Sequence, residues 1–303
     1  MSDDEPTGRS RHPPADDRRR MEKGHAMSTE AANWPAHWVV PEPGENPFQR
    51  HPLRRYDFAW NRLATLTGPH LDVGFETGEF ICGFARSTLR PCVAVDPAPR
   101  WVQRLPGICP EIEVQQISIR GPLPYADAQF DSASLLDVLE HVPVEADLLA
   151  ELYRVLRPGG RLVLTVPAKH AFSILDPDNL KFQAPRLHRL LWSRRFGADL
   201  YHQRFVDTSD EMVGDFSLGK REHTNYEQAA LAELLGQAGF RLLELSSANL
   251  FWRWWQVAGL GAPRRWQPVF DRIILRDGLR FTGPPGSGFR RRANLFVVAE
   301  RPT

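Results

Sequence analysis

The sequence predicts an α/β fold built on a doubly wound, mostly parallel sheet, and three observations carry that prediction. From residue 70 onward, short apolar runs alternate with helical patterns. That order implies parallel strands joined by right-handed crossovers. The first run, in HLDVGFETGEF (70–80), passes through a glycine turn into an amphipathic helix, the layout of a loop that holds a nucleotide-like cofactor. The second run ends on Asp96, 22 residues beyond Gly74. A carboxylate at that edge of a parallel sheet can accept hydrogen bonds from two ribose hydroxyls.

Taken in order, residues 1–45 are expected to form a disordered or extended tail, and 46–303 the folded domain. The first 30 residues are charged, contain proline and have almost no large apolar side chain, so they cannot offset the entropy of ordering. No secretory signal is expected, and Met27 is an alternative start. HLDVG (70–74) precedes a helix near 79–89, and PCVAVD (91–96) a short helix near 98–105. EIEVQQIS (111–118) leads through a Gly-Pro loop to FDSASLLD (130–137). A helix over EADLLAELYRVL (145–156) is stopped by RPGG and followed by RLVLTVP (161–167). NYEQAALAELLGQAGF reads as a helix started by Thr224 or Asn225 and ended by Gly239. FRLLELSS (240–247) and ANLFVVAE (293–300) complete the strands. Residues 168–222 and 248–292 are excursions long enough to serve as lids or binding loops.

Composition excludes several function classes. Net charge is +1, so no global field favours nucleic acid or an anionic membrane. Of 38 basic residues only Lys23, Lys169, Lys181 and Lys220 are lysines, a bias read as genome composition rather than phosphate recognition. Cys82, Cys92 and Cys109 contain no C-x-x-C pair, and a reduced, cytoplasmic chain is the simplest expectation. No apolar run reaches the roughly 18 residues that span a bilayer.

The glycine loop discriminates between cofactors. A dinucleotide calls for G-x-G-x-x-G so that a pyrophosphate can meet the helix N-terminus. Here the pattern is G-x-x-x-G, with Glu76 and Glu79 where the pyrophosphate would sit. Negative charge there opposes an anion and is compatible with a sulfonium and an ammonium, so NAD is disfavoured.

LDVGFETG, VAVDP, LPYADAQFDSASLLDVLEHV and LYRVLRPGGRLVLTVP occur in this order between residues 71 and 167. In them the chain resembles the class I S-adenosylmethionine-dependent methyltransferases that modify small molecules. The resemblance implies a Rossmann-like sheet of seven strands, the last one antiparallel and slotted between the fifth and sixth; here that strand would be 293–300. It also implies S-adenosylmethionine as cofactor. Asp72, Gly74 and Gly78 would line its methionine end, Asp96 would hold its ribose, and Asp137 would lie beside it. Ser118 and Ile119 stand where the family often has an acidic residue for the adenine amino group, and Ser118 is the candidate there. Glu76 replaces the family's middle glycine.

Blander roles stand beside these. Gly74 and Gly78 also suit a tight turn, and Asp96 suits the N-cap of the next helix. His141 reads as a helix-start residue rather than a base. His170, His188, His202 and His223 lack metal-site spacing, and no metal is expected. Arg290–Arg292 reads as solvated surface. Asp176, Asp178, Asn179 and His188 could bind a polyol or cap turns. The tryptophans and arginines of 248–266 suit peripheral membrane contact, a greasy substrate or a packed lid. Both excursions should leave from the cofactor edge of the sheet and cap one pocket. The expected activity is methyl transfer to a small-molecule acceptor, with lipid-linked and glycosylated molecules as candidate classes. The alternatives are a scaffold that keeps the fold without catalysis, and an NAD or nucleotide-sugar enzyme.

Overall fold

Amphipathic spacing and short buried apolar runs set the elements of the computed structural model. It describes residues 35, 38–51, 53–118, 120–169, 177–206, 224–248, 262–266, 268–270, 272–273, 282–283 and 294–303. In chain order the first half comprises α1 (Arg54–Leu63), β1 (His70–Val73), α2 (Glu79–Thr88), β2 (Cys92–Asp96), α3 (Pro99–Arg104), β3 (Glu113–Gln116) and β4 (Phe130–Leu136). There follow α4 (Glu145–Val155), β5 (Leu156–Pro167), α5 (Pro177–Gln183), α6 (Pro185–Phe196) and α7 (Ala198–Phe205). The chain closes with α8 (Gln228–Gln237), β6 (Arg241–Ala248), β7 (Thr282–Gly283) and β8 (Asn294–Glu300).

The strands lie in the order β3-β2-β1-β4-β5-β8-β6-β7. β1 to β5 pair in parallel. β8 runs antiparallel between β5 and β6, as the expected seven-stranded arrangement requires. The two-residue β7 adds an eighth strand beside β6, inside the second excursion and too short to carry a sequence pattern.

Alternation along the strands sorts side chains to two faces. Leu71, Val73, Val95, Leu164 and Val297 pack under α4 and α8. Ala94, Val163, Phe296 and Val298 pack under α1 and α2. On that second face β1 presents His70 and Asp72, both buried. The parallel register sets them opposite Ser132 and Ser134 of β4.

Four local expectations change. Helix α8 starts at Gln228, not at Thr224 or Asn225. Tyr226 is extended, bridging Ala168, with its amide on the Pro167 carbonyl at 2.9 Å and its carbonyl taking the Lys169 amide at 2.7 Å. Helix α1 was not expected, although Tyr56, Ala59 and Leu63 follow helical spacing and are buried. The packed body begins before residue 46: Trp38 is buried, and the Gly44 amide donates to the Ser87 carbonyl at 2.7 Å. Cys82 and Cys109 are paired as a disulfide, and Cys92 is a buried thiol. A separation of 27 residues hides the pair from any motif, and it departs from the reduced chain expected.

In the first excursion, α5 to α7 pack on one another. Asn179 and His188 are buried there, with His188 3.3 Å from the Tyr201 hydroxyl and edge-on to Phe205. This packing favours the cap-and-core role over polyol binding. Asp176 and most of 248–266 lie outside the described residues. Among the described residues no helix is long and apolar enough to cross a membrane, and no cluster of potential metal ligands occurs.

Candidate cofactor-binding site

The site is built where β1, β2 and β4 end. β1 leads into Gly74 at φ +76° and Gly78 at φ +84°, backbone angles that favour glycine. A Cβ on Gly74 would stand 2.4 Å from Val138 Cγ2, and one on Gly78 would stand 2.2 Å from Leu105 Cδ1. Both glycines are therefore needed by packing as well as by the turn. Gly78 then starts α2.

Asp96, at the end of β2, is 2 % exposed. Its Oδ1 accepts the Ala98 amide at 2.9 Å and its Oδ2 accepts the Glu76 amide at 3.1 Å. One carboxylate thus ties the glycine loop to the β2 turn and keeps further lone pairs for a ligand. Burial pushes this carboxyl up to about 6, against the pull of those two amides. Asp96 precedes the α3 N-cap, which is Ala98, so its bond to the Ala98 amide belongs to the turn that enters the helix.

Asp72 lies deeper on β1. Its Oδ1 accepts the Ser134 hydroxyl at 2.5 Å, and burial raises its carboxyl to about 7, with Ser134 opposing and Asp96 adding to the shift. Asp137 follows β4 at φ +56°. Thr165 donates to its Oδ1 at 2.5 Å, and Arg55 of α1 donates to its Oδ2 at 2.5 Å. Asp72, Gly74, Gly78, Asp96 and Asp137 therefore sit on the loops and strand ends of one sheet edge. Ser118 is exposed in the turn after β3, where its Oγ accepts the Arg120 amide at 3.4 Å.

Sequence reasoning missed the α1 contribution. Tyr56 is buried against the site and Arg55 is half-buried there, with Glu76 and Glu140 also acting on Arg55. Nearby, His51 Nδ1 accepts the Leu53 amide at 3.1 Å. Its Nε2 therefore faces Glu79 Oε1, 3.1 Å away, as a donor. The missed signal was an arginine on an amphipathic helix just ahead of the glycine loop. His141 closes a 3-10 turn, with its amide on the Val138 carbonyl at 2.9 Å, and α4 starts only at Glu145, so His141 is not a helix-start residue.

Glu76 itself has φ +48°. It occupies the left-handed position that a middle glycine would take, and its amide serves Asp96. The loop keeps its shape despite the side chain. Asp72, Asp96, Glu76 and Glu79 make this edge acidic, which suits a cationic ligand and disfavours a pyrophosphate.

Comparison with known proteins agrees with this architecture. Residues 71–164 match the family model described as a methyltransferase domain. A ubiquinone biosynthesis O-methyltransferase of Alkalilimnicola ehrlichii is 30% identical over 144 residues, 45% of this chain and 58% of that protein. An uncharacterized methyltransferase of Mycobacterium leprae is 35% identical over 96 residues, 31% of this chain and 35% of that protein. The chain spans no more than 58% of the length of these two relatives. The solved cyclase SpnF has the same fold, with a TM-score of 0.50 at 19% identity over 82% of this chain and 80% of that one. With the strand order, the glycine loop and the acidic end of β2 all in register, residues 71–164 are matched as a methyltransferase domain and the chain has the fold of the class I S-adenosylmethionine-dependent methyltransferases.

Proposed function

We propose that the protein transfers a methyl group from S-adenosylmethionine to a small-molecule acceptor. The observation that carries this reading is Asp96. It is a buried carboxylate that braces the glycine loop through the Glu76 amide at the position where ribose hydroxyls would be met. When bound, the cofactor supplies an electrophilic methyl group on a sulfonium. In this reading Asp96 accepts from the ribose, Asp72 offers negative charge to the cationic methionine end, and Gly74 and Gly78 allow close backbone approach. Arg55, released from or shared with Asp137, is the cation available to the methionine carboxylate. Ser118 is assigned to the adenine end. The α1 residues and the two excursions align the acceptor and exclude water, which an in-line displacement needs above all.

An oxygen acceptor is in keeping with the O-methyltransferase relative. Lipid-linked or glycosylated acceptors, peripheral membrane contact through 248–266, the two excursions as insertions of one domain that runs on to residue 303, and a cytoplasmic setting remain part of the proposal on sequence grounds. Calorimetry with S-adenosylmethionine, S-adenosylhomocysteine and NAD tests it. Binding of the first two and not the third is expected, and NAD binding alone would overturn it. Glu76 favours a second reading, a scaffold that has lost catalysis. That reading predicts that S-adenosylmethionine fails to bind until Glu76 is replaced by glycine.

A further inference from the structure

The face of the sheet under α2 should be apolar, yet β1 places a fully buried histidine there. His70 is 0 % exposed, and Phe84 packs 4.6 Å from its ring. Its Nδ1 is 2.9 Å from Ser132 Oγ and its Nε2 is 3.0 Å from Ser134 Oγ. Ser134 reaches Asp72. At the other end Arg90 Nη2 donates to Ser132 Oγ at 2.8 Å. The guanidinium is itself anchored on the Gly68 and Leu63 carbonyls.

The two ends set the direction of this chain. Arginine has only donors, and an ionised aspartate has only acceptors. Ser132, already receiving from Arg90, passes its own proton to His70 Nδ1. The neutral ring then donates from Nε2 to Ser134, whose hydroxyl donates to Asp72. Burial, and then Arg90, hold the ring well below its usual pKa, which keeps it neutral. With the opposite tautomer, Ser132 would receive two donors, and Ser134 would turn its proton away from the carboxylate.

We propose that His70 is a positioning residue: it orders a one-way hydrogen-bond chain from Arg90 through Ser132 and Ser134 that holds Asp72 ionised toward the cofactor's cationic end. The proposal rests on the methyltransferase reading for the ligand, but not for the chain itself. The other groups that act on Asp72 or feel its charge are Asp96 and Cys92 of β2 and Tyr56 of α1. None of these supplies a cation, so within this set the carboxylate relies on Ser134.

The test begins with the full-length, ligand-free protein. Nitrogen-15 NMR of His70 should show the neutral Nε2–H tautomer from about pH 7, where Asp72 ionises, up to about pH 9. Carbon-13 NMR of the Asp72 carboxyl should show its midpoint rising by about one pH unit in Ser134→Ala, the loss of one hydrogen bond to a charged group. His70→Leu should raise it too, and His70→Gln, whose amide can donate from the Nε2 position, should bring it back. An Nδ1–H tautomer above the Asp72 midpoint, or an unmoved midpoint in folded Ser134→Ala, would overturn the proposal. The tautomer needs no variant, so a misfolded mutant does not decide the matter. Calorimetry with S-adenosylmethionine then separates the two claims. Absent binding with the expected spectra sinks the methyltransferase reading alone. Wild-type binding with no loss of affinity at neutral pH in Ser134→Ala sinks the role given to the chain.

Discussion

At Asp96 a single carboxylate has both a structural and a binding assignment, and the two can be separated. Its structural bonds go to the Glu76 and Ala98 amides. Replacing it with asparagine would keep an acceptor but lose the charge. Asp96→Ala removes both and is expected to weaken S-adenosylmethionine by about 1.5–3 kcal/mol, the usual worth of hydrogen bonds to a charged group. Calorimetry reads this directly, with circular dichroism confirming the fold. Glu76 poses the converse question. A non-glycine residue in the left-handed region costs roughly 1–2 kcal/mol, so Glu76→Gly is expected to raise the melting temperature slightly. It should leave cofactor affinity within about tenfold, about 1.4 kcal/mol. A melting temperature that falls would show that the Glu76 side chain makes contacts worth more than the backbone relief.

Single elements decide how far the site could be read in advance. The strands were legible because each is a short apolar run ending in a turn residue, and parallel pairing through crossovers left little freedom in their order. Asp72, Gly74, Gly78, Asp96 and Asp137 were legible because they end those strands. Arg55 and Tyr56 were not. A helix with three arginines and an aspartate in RRYDFAWNRL has no chemical motif, and only the folded chain brings Arg55 to Asp137, 82 residues away. His70 was invisible for another reason, since a single histidine at the head of the strand HLDV has no spacing that marks it, and only the parallel register sets it beside Ser132 of β4. The start of α8 was misplaced because Thr224 and Asn225 look like caps, while the Tyr226 bridge to Ala168 keeps the chain extended. The Cys82–Cys109 pair ties α2 to the turn after α3. Thiol titration of the unfolded, unreduced protein is therefore expected to find one free thiol, Cys92. Three free thiols would restore the reduced chain that a cytoplasmic setting implies.

At the scale of the whole molecule, the buried acids link folding, binding and pH. Burial raises Asp96 to about 6 and Asp72 to about 7 from an ordinary 3.8. For acids with raised folded values, the folded state holds protons more tightly than the unfolded one. Their contribution to stability is full below about pH 4 and is lost as pH rises through 6 and 7. The melting temperature of the ligand-free protein is therefore expected to decline between about pH 4 and 7. A cationic ligand reverses the balance, because its charge favours the ionised carboxylates that burial disfavours. S-adenosylmethionine affinity should then climb over the same interval by roughly tenfold or more. It should level off near pH 8, where the cofactor's own amino group begins to lose its proton. Thermal unfolding and calorimetry at matched ionic strength check both slopes, and in Asp96→Asn the lower-pH part of each should flatten. A melting temperature that rises with pH across this window would mean that the carboxylates are already paired with cations. In that case the acidic edge could not be what draws the sulfonium.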